Sequence, residues 1–161
     1  MSTPMPISIG DRMPETRIVL RRVDLLRYCG ACGDFTGTHW NERIAKSVGL
    51  PDVISHGTLN IALAAKAVSD WIDDPGAVLG YSVERFTNPL VVPDSEDGTT
   101  LTVTGYVEEI SPRTGSFTVR VKVHNADGKP VMGHARVRIS LDYRNENITN
   151  SYINNERNHT S

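Results

Sequence analysis

From Phe117 to His124 the chain reads Phe-Thr-Val-Arg-Val-Lys-Val-His, a strict alternation of apolar and polar positions. That period of two predicts a strand with one buried and one wet face. β-Branched and apolar runs predict strands over residues 16–21, 79–86, 99–110, 116–125 and 130–143. Between them, 111–115 (Ser-Pro-Arg-Thr-Gly) and 125–129 (Asn-Ala-Asp-Gly-Lys) carry hairpin-turn residues. Residues 58–72 differ: they contain no Gly or Pro, are rich in alanine, and precede the stop Asp73-Asp74-Pro75-Gly76. Apolar side chains fall on nearly every face of this helix, which predicts burial on all sides. Two short helices are expected earlier. One runs over 23–29 and ends at Gly30; the other runs over 41–48, with Asn41 as N-cap and Gly49 past its end. Gly33-Asp34-Phe35-Thr36-Gly37-Thr38, between them, is expected to be a loop.

The order is therefore one strand, small helices and a loop, one long apolar helix, then about four antiparallel strands. It predicts an α+β fold, a single hotdog whose antiparallel sheet wraps around the long helix. A chain of 161 residues fits one such domain. The domain is expected to fill residues 1–144. Residues 145–161, with six asparagines and almost no aliphatic side chains, are expected to form a polar tail, mobile or ordered only by contact with another subunit. The Asn-x-Thr triplets at Asn147 and Asn158 are expected to be chance matches to a glycosylation pattern, because no signal peptide opens the chain. The longest weakly polar stretch, 59–68, is too short for a bilayer and contains Lys66. A cytoplasmic location and no membrane role follow as expectations. The net charge of −2, without a basic stripe, argues against nucleic acid as a partner.

Cys29 and Cys32 form a C-x-x-C that closes a short helix rather than opening one, with no second pair to complete a zinc site. They are expected to be two small buried side chains, and no metal or other cofactor is implied. Of the five histidines, His124 and His159 are expected on the surface and His134 at an ordinary strand position. His39 and His56 each stand beside glycine-bearing backbone next to a helix start.

Further context is carried by Tyr28-Cys29-Gly30-Ala31-Cys32-Gly33-Asp34-Phe35-Thr36-Gly37-Thr38-His39, followed by Ser55-His56-Gly57. The pattern resembles the MaoC-like hydratase/dehydratase family: Tyr, a few small residues, Gly-Asp-x-Asn-Pro-(Ile/Leu/Val)-His, then Ala-His-Gly. Within that family it most resembles the catalytic B-type subunit of actinobacterial (3R)-hydroxyacyl-ACP dehydratases. The likeness covers roughly residues 7–142. One departure stands out: Thr36-Gly37-Thr38 replaces Asn-Pro-(Ile/Leu/Val), exchanging a fixed φ for glycine's freedom.

The resemblance implies a 3-hydroxyacyl-thioester dehydratase, reversible as an enoyl hydratase, with Asp34 and His39 as its acid/base pair. Such chemistry needs a base and a proton donor flanking the Cα–Cβ bond. An imidazole suits proton removal at neutral pH. A carboxyl that protonates the leaving hydroxyl, or activates water, is expected to be partly desolvated with a raised pKa. Gly57 and Thr58, at the N-terminus of the long helix, are implied as the oxyanion hole, and Thr36 as a substrate contact. His56 is expected to fix its turn by hydrogen bonding. The implied partners are an acyl carrier protein or CoA bearing the substrate, and a second hotdog subunit, identical or different. Residues 100–144 hold seven Lys/Arg against four acids, a balance compatible with docking an acidic carrier or with a plain solvated face. Two other readings stay open: a non-catalytic acyl-binding subunit, and a hotdog thioesterase, although 58–68 lacks the carboxylate those enzymes use.

Overall fold

The structure, a computed structural model, describes residues 7–140. The expected tail, its Asn-x-Thr triplets, His159, Arg144 and the boundary at 144 lie outside the described residues. Seven strands and three α-helices follow in order: β1 (Arg12–Leu20), α1 (Arg22–Cys32), α2 (Glu42–Ser47), α3 (Gly57–Trp71), β2 (Val78–Ser82), β3 (Arg85–Phe86), β4 (Thr99–Ser111), β5 (Ser116–His124), β6 (Met132–Gly133) and β7 (Ala135–Ser140). A five-stranded antiparallel sheet in the order β1-β4-β5-β7-β2 packs against α3, and β3 pairs with β6 in a small second sheet. This is the expected α+β hotdog.

The alternation in β4 and β5 decides which face is buried. Val103, Val107, Val119, Val121 and Val123 meet Ala64, Ala67 and Val68 of α3 in the main core. The wet face carries the charge: Arg120 and Arg136 both bind Glu108, at 2.7 and 2.6 Å. Two of the arginines counted on these strands thus share one carboxylate within the sheet.

Four expectations need correction. First, α1 runs through Gly30 to Cys32. Gly33, not Gly30, takes the left-handed conformation (φ +75°), and its N–H returns to Cys29 O at 2.9 Å. Second, α3 is not buried all round: Thr58, Ala62, Lys66 and Asp70, four residues apart, form an exposed stripe. Third, 79–86 and the described part of 130–143 are each two strands. They break opposite one another, around 83–84 and at His134, whose φ of +51° is no ordinary strand position. This shared bend carries Phe86 away from the main sheet. Fourth, β1 starts at Arg12, with a bulge between Met13 and Thr16 that accommodates Pro14.

The region before α3 has its own small core, Leu25, Val53 and Val92. Arg22 braces it, donating to Asp52 (2.6 Å), Glu42 (3.3 Å) and Val92 O (3.2 Å). Residues 53–55 zip onto 90–92 through Val92 N–H to Val53 O and Ser55 N–H to Leu90 O, both 2.8 Å. Among the described residues no helix is long and apolar enough to cross a membrane.

Candidate active site

Gly33 turns the chain out of α1 and delivers Asp34 to the loop. There the Asp34 carboxylate accepts from the Thr36 N–H (3.0 Å) and the Thr36 hydroxyl (2.6 Å). His39 N–H then returns to Thr36 O, and both Trp40 N–H and Asn41 N–H to Gly37 O, closing a 3-10 turn over Gly37–His39. Asn41 caps α2 as expected, its Oδ1 accepting from Ile44 N–H. A β-carbon at Gly37 would lie 2.7 Å from Ile44 Cδ1, so glycine is needed here for packing rather than for a positive φ. The Thr36-Gly37-Thr38 departure thus leaves no slack loop: six hydrogen bonds, Ile54 N–H to Thr38 O among them, and one close packing contact hold it.

His39 is half-buried. Its Nδ1 donates to Ile54 O at 2.8 Å, and Ile54 N–H binds Thr38 O, so the ring is clamped from two sides. A carbonyl only accepts, so Nδ1 carries the proton, and in the neutral ring the lone pair belongs to Nε2. His56, 1% exposed, stacks on His39 with ring centroids 3.7 Å apart and 23° between planes. Its Nε2 donates to Asp34 O (3.2 Å) and lies 3.7 Å from Cys29 Sγ, while Tyr28 meets its ring edge-on. The expected hydrogen-bonding role of His56 is present, and the stacking adds a second. His56 Nδ1 is sealed without a partner among the described residues. Burial, first, and the neighbouring His39 push the His56 pKa down, which keeps the stacked pair from sharing two charges.

Asp34 departs from the expectation of a desolvated, raised carboxyl. It is exposed, and the Thr36 hydroxyl, then the Thr36 amide and the two imidazoles, hold its pKa below the usual carboxylate range. The Thr36 hydroxyl proton is taken by Asp34, which leaves its oxygen only as an acceptor. Cys29 is buried as expected but Cys32 is exposed, and neither forms a disulfide.

A cavity of about 470 Å³ opens beside these residues. Asp34, Thr58, Phe86, Thr87 and Pro89 form its exposed rim; Ser55, His56, Asn60, Leu90 and Val131 form its buried floor. The first helical hydrogen bond of α3 is Asn60 N–H to His56 O, so the amides of Gly57, Thr58 and Leu59 precede it at the positive end of the dipole. A side chain at Gly57 would strike the Phe86 ring, 2.6 Å from Cζ. Glycine therefore makes room for Phe86 here. Phe86 and Asn60 were not expected from sequence; a lone asparagine early in an apolar helix was the available signal.

Asp34, His39 and His56 each offer one ligand atom within 4.8 Å of the others. The stacking opposes joint ligation, because an imidazole binds a metal along its lone pair, in its own plane, and these planes lie face to face.

Residues 7–126 match a family model described as a MaoC-like domain. A UPF0336 protein from Streptomyces coelicolor is 30% identical over 132 residues, 77% of this chain and 86% of its own. A solved MaoC-like dehydratase superposes with a TM-score of 0.77 at 37% identity. The match covers 84% of this chain but 41% of that one, so this chain spans less than half the length of that relative. R-hydratase PhaJ1 from Pseudomonas aeruginosa gives a TM-score of 0.70 at 25% identity, covering 83% and 81% of the two chains.

Proposed function

The chain belongs to the MaoC-like domain family, and on that footing we propose that it is a (3R)-3-hydroxyacyl-thioester dehydratase, running in reverse as an enoyl hydratase. The acyl group would arrive on an acyl carrier protein or CoA. The observation that carries this reading is the clamped His39, whose ring is held by Ile54 O through Nδ1 beside Asp34, at the mouth of a cavity headed by the leading amides of α3.

Dehydration removes a proton from Cα and expels the Cβ hydroxyl as water. His39 Nε2 takes the Cα proton. The developing thioester oxyanion meets the Gly57 and Thr58 amides, each such donor being worth about 3–4 kcal/mol to the transition state. Asp34 has no proton to give near neutral pH, so it accepts a hydrogen bond from the hydroxyl and orients it. The protonated His39 then returns its proton to that oxygen as the C–O bond breaks. In hydration Asp34 holds the water, and His39 moves its proton to Cα. One base thus serves both steps.

Incubation with a crotonyl thioester, following loss of enoyl absorbance, tests the reading. His39→Ala and Asp34→Ala are each expected to lower kcat/KM by roughly 10²-fold or more. Full activity in either variant counts against the assignment. Release of free thiol from a saturated acyl thioester would indicate a thioesterase instead.

A further inference from the structure

Asn60 stands one turn into α3, on a helix whose other inward residues are alanine, valine and serine. It is 2% exposed, at the floor of the cavity, deeper than Asp34 and Thr58 on the rim. Its Oδ1 accepts from the Ser55 hydroxyl at 2.8 Å, which fixes the plane of the amide. Its Nδ2 has no hydrogen-bond partner among the described residues. Yet His56 Nδ1 is the only sealed side-chain nitrogen or oxygen among them without one, so Nδ2 is not fully sealed, and Asn60 lines the cavity.

An amide at a pocket floor is well hydrated only while the pocket holds water. A plain hydrocarbon chain pressed against it would strip that water and return nothing; a hydroxyl or carbonyl on the chain would replace it. Leu90 and Val131 beside it are apolar and suit the methylenes. On the reading above, the thioester lies at the α3 N-terminus and the reacting bond at His39. The floor therefore receives the part of the acyl group beyond C3. We propose that Asn60 selects acyl thioesters bearing a hydroxyl or carbonyl oxygen beyond C3 over unsubstituted fatty acyl thioesters.

Isothermal titration of the full chain with the saturated S-pantetheine thioesters of octanoate, 5-hydroxyoctanoate and 7-hydroxyoctanoate tests this without needing turnover. One hydroxylated ligand is expected to bind roughly 10- to 100-fold tighter than octanoyl, the range of one satisfied against one stranded buried polar group. In Asn60→Leu the preference is expected to shrink below about threefold, a methylene-scale difference. Equal affinities for all three ligands in the wild type overturn the proposal, as does a preference that survives Asn60→Leu. The wild-type comparison decides the matter even where the variant does not fold. The corresponding enoyl thioesters are assayed in parallel. Preference without turnover sinks the hydratase reading alone, and turnover without preference sinks this inference alone.

Discussion

The Thr36 hydroxyl is the first of the groups that hold the Asp34 pKa down. Replacing it with the isosteric methyl of Thr36→Val is expected to move the Asp34 carboxyl pKa upward, measured by carbon-detected NMR titration of that carboxyl; an unmoved value would show that the amide and imidazoles suffice. The sign follows for stability. A carboxyl whose folded pKa lies below its unfolded value stabilises above the unfolded value, and that contribution is lost as pH falls through the folded one. Thr36→Val narrows this window from below. His56, also depressed, acts in the same direction: the unfolded chain binds its proton first, so stability falls as pH drops from about 6.5 toward the lower folded pKa. Asp34 and His39 were legible in the sequence because their residue types and spacing form a motif. The direction of the Thr36 hydroxyl and the stacking of His56 on His39 were not, since a one-dimensional pattern holds no rotamer and no contact between residues 17 positions apart.

At the scale of elements, Arg22 and Lys66 make ion pairs of different worth. Arg22 is mostly buried and joins α1 to Asp52, Glu42 and Val92 around the small core beneath the site. Arg22→Ala is expected to cost about 2 kcal/mol, through lost charged hydrogen bonds and lost packing of its stem. Lys66 pairs with Asp70 on the exposed stripe of α3, and Lys66→Ala is expected to cost less than about 0.5 kcal/mol. Urea denaturation of both variants checks the contrast, and equal costs would deny Arg22 its bracing role. Periodicity located the strands and α3, but hydropathy alone overstated the burial of α3: alanine counts as apolar whether it faces Val119 or water. The paired breaks at 83–84 and His134 escaped sequence reading because a left-handed histidine carries no signal of its own.

The whole molecule has two unlike sheet edges. β1 is guarded by Pro14 and by the charges of Arg12, Glu15 and Arg17. β2 reads Val-Leu-Gly-Tyr-Ser, without charge or proline, and leaves Leu79 48% and Tyr81 59% exposed. An edge of that composition invites a second strand, and we propose that it pairs with another hotdog subunit. Sedimentation of the chain alone is expected to give a particle of twice 17.7 kDa, and Tyr81→Glu a monomer. A wild type that stays monomeric at micromolar concentration would rule out self-pairing and require a different partner chain. The α+β layout was legible because helix and strand periods separate cleanly along the chain. Which edge stays open was not, because that depends on strand order, fixed by pairings between distant segments.

Trp40 adds a practical consequence. Its indole Nε1 binds Phe35 O at 2.8 Å, within the loop that holds Asp34, and the ring remains 44% exposed. The other tryptophan, Trp71, closes the far end of α3, fourteen positions from Gly57. A fluorophore thus stands on the loop that carries Asp34, with its counterpart a helix-length away. With Trp71 replaced by phenylalanine, the emission of a single indole becomes a stopped-flow optical readout of that loop as a thioester arrives.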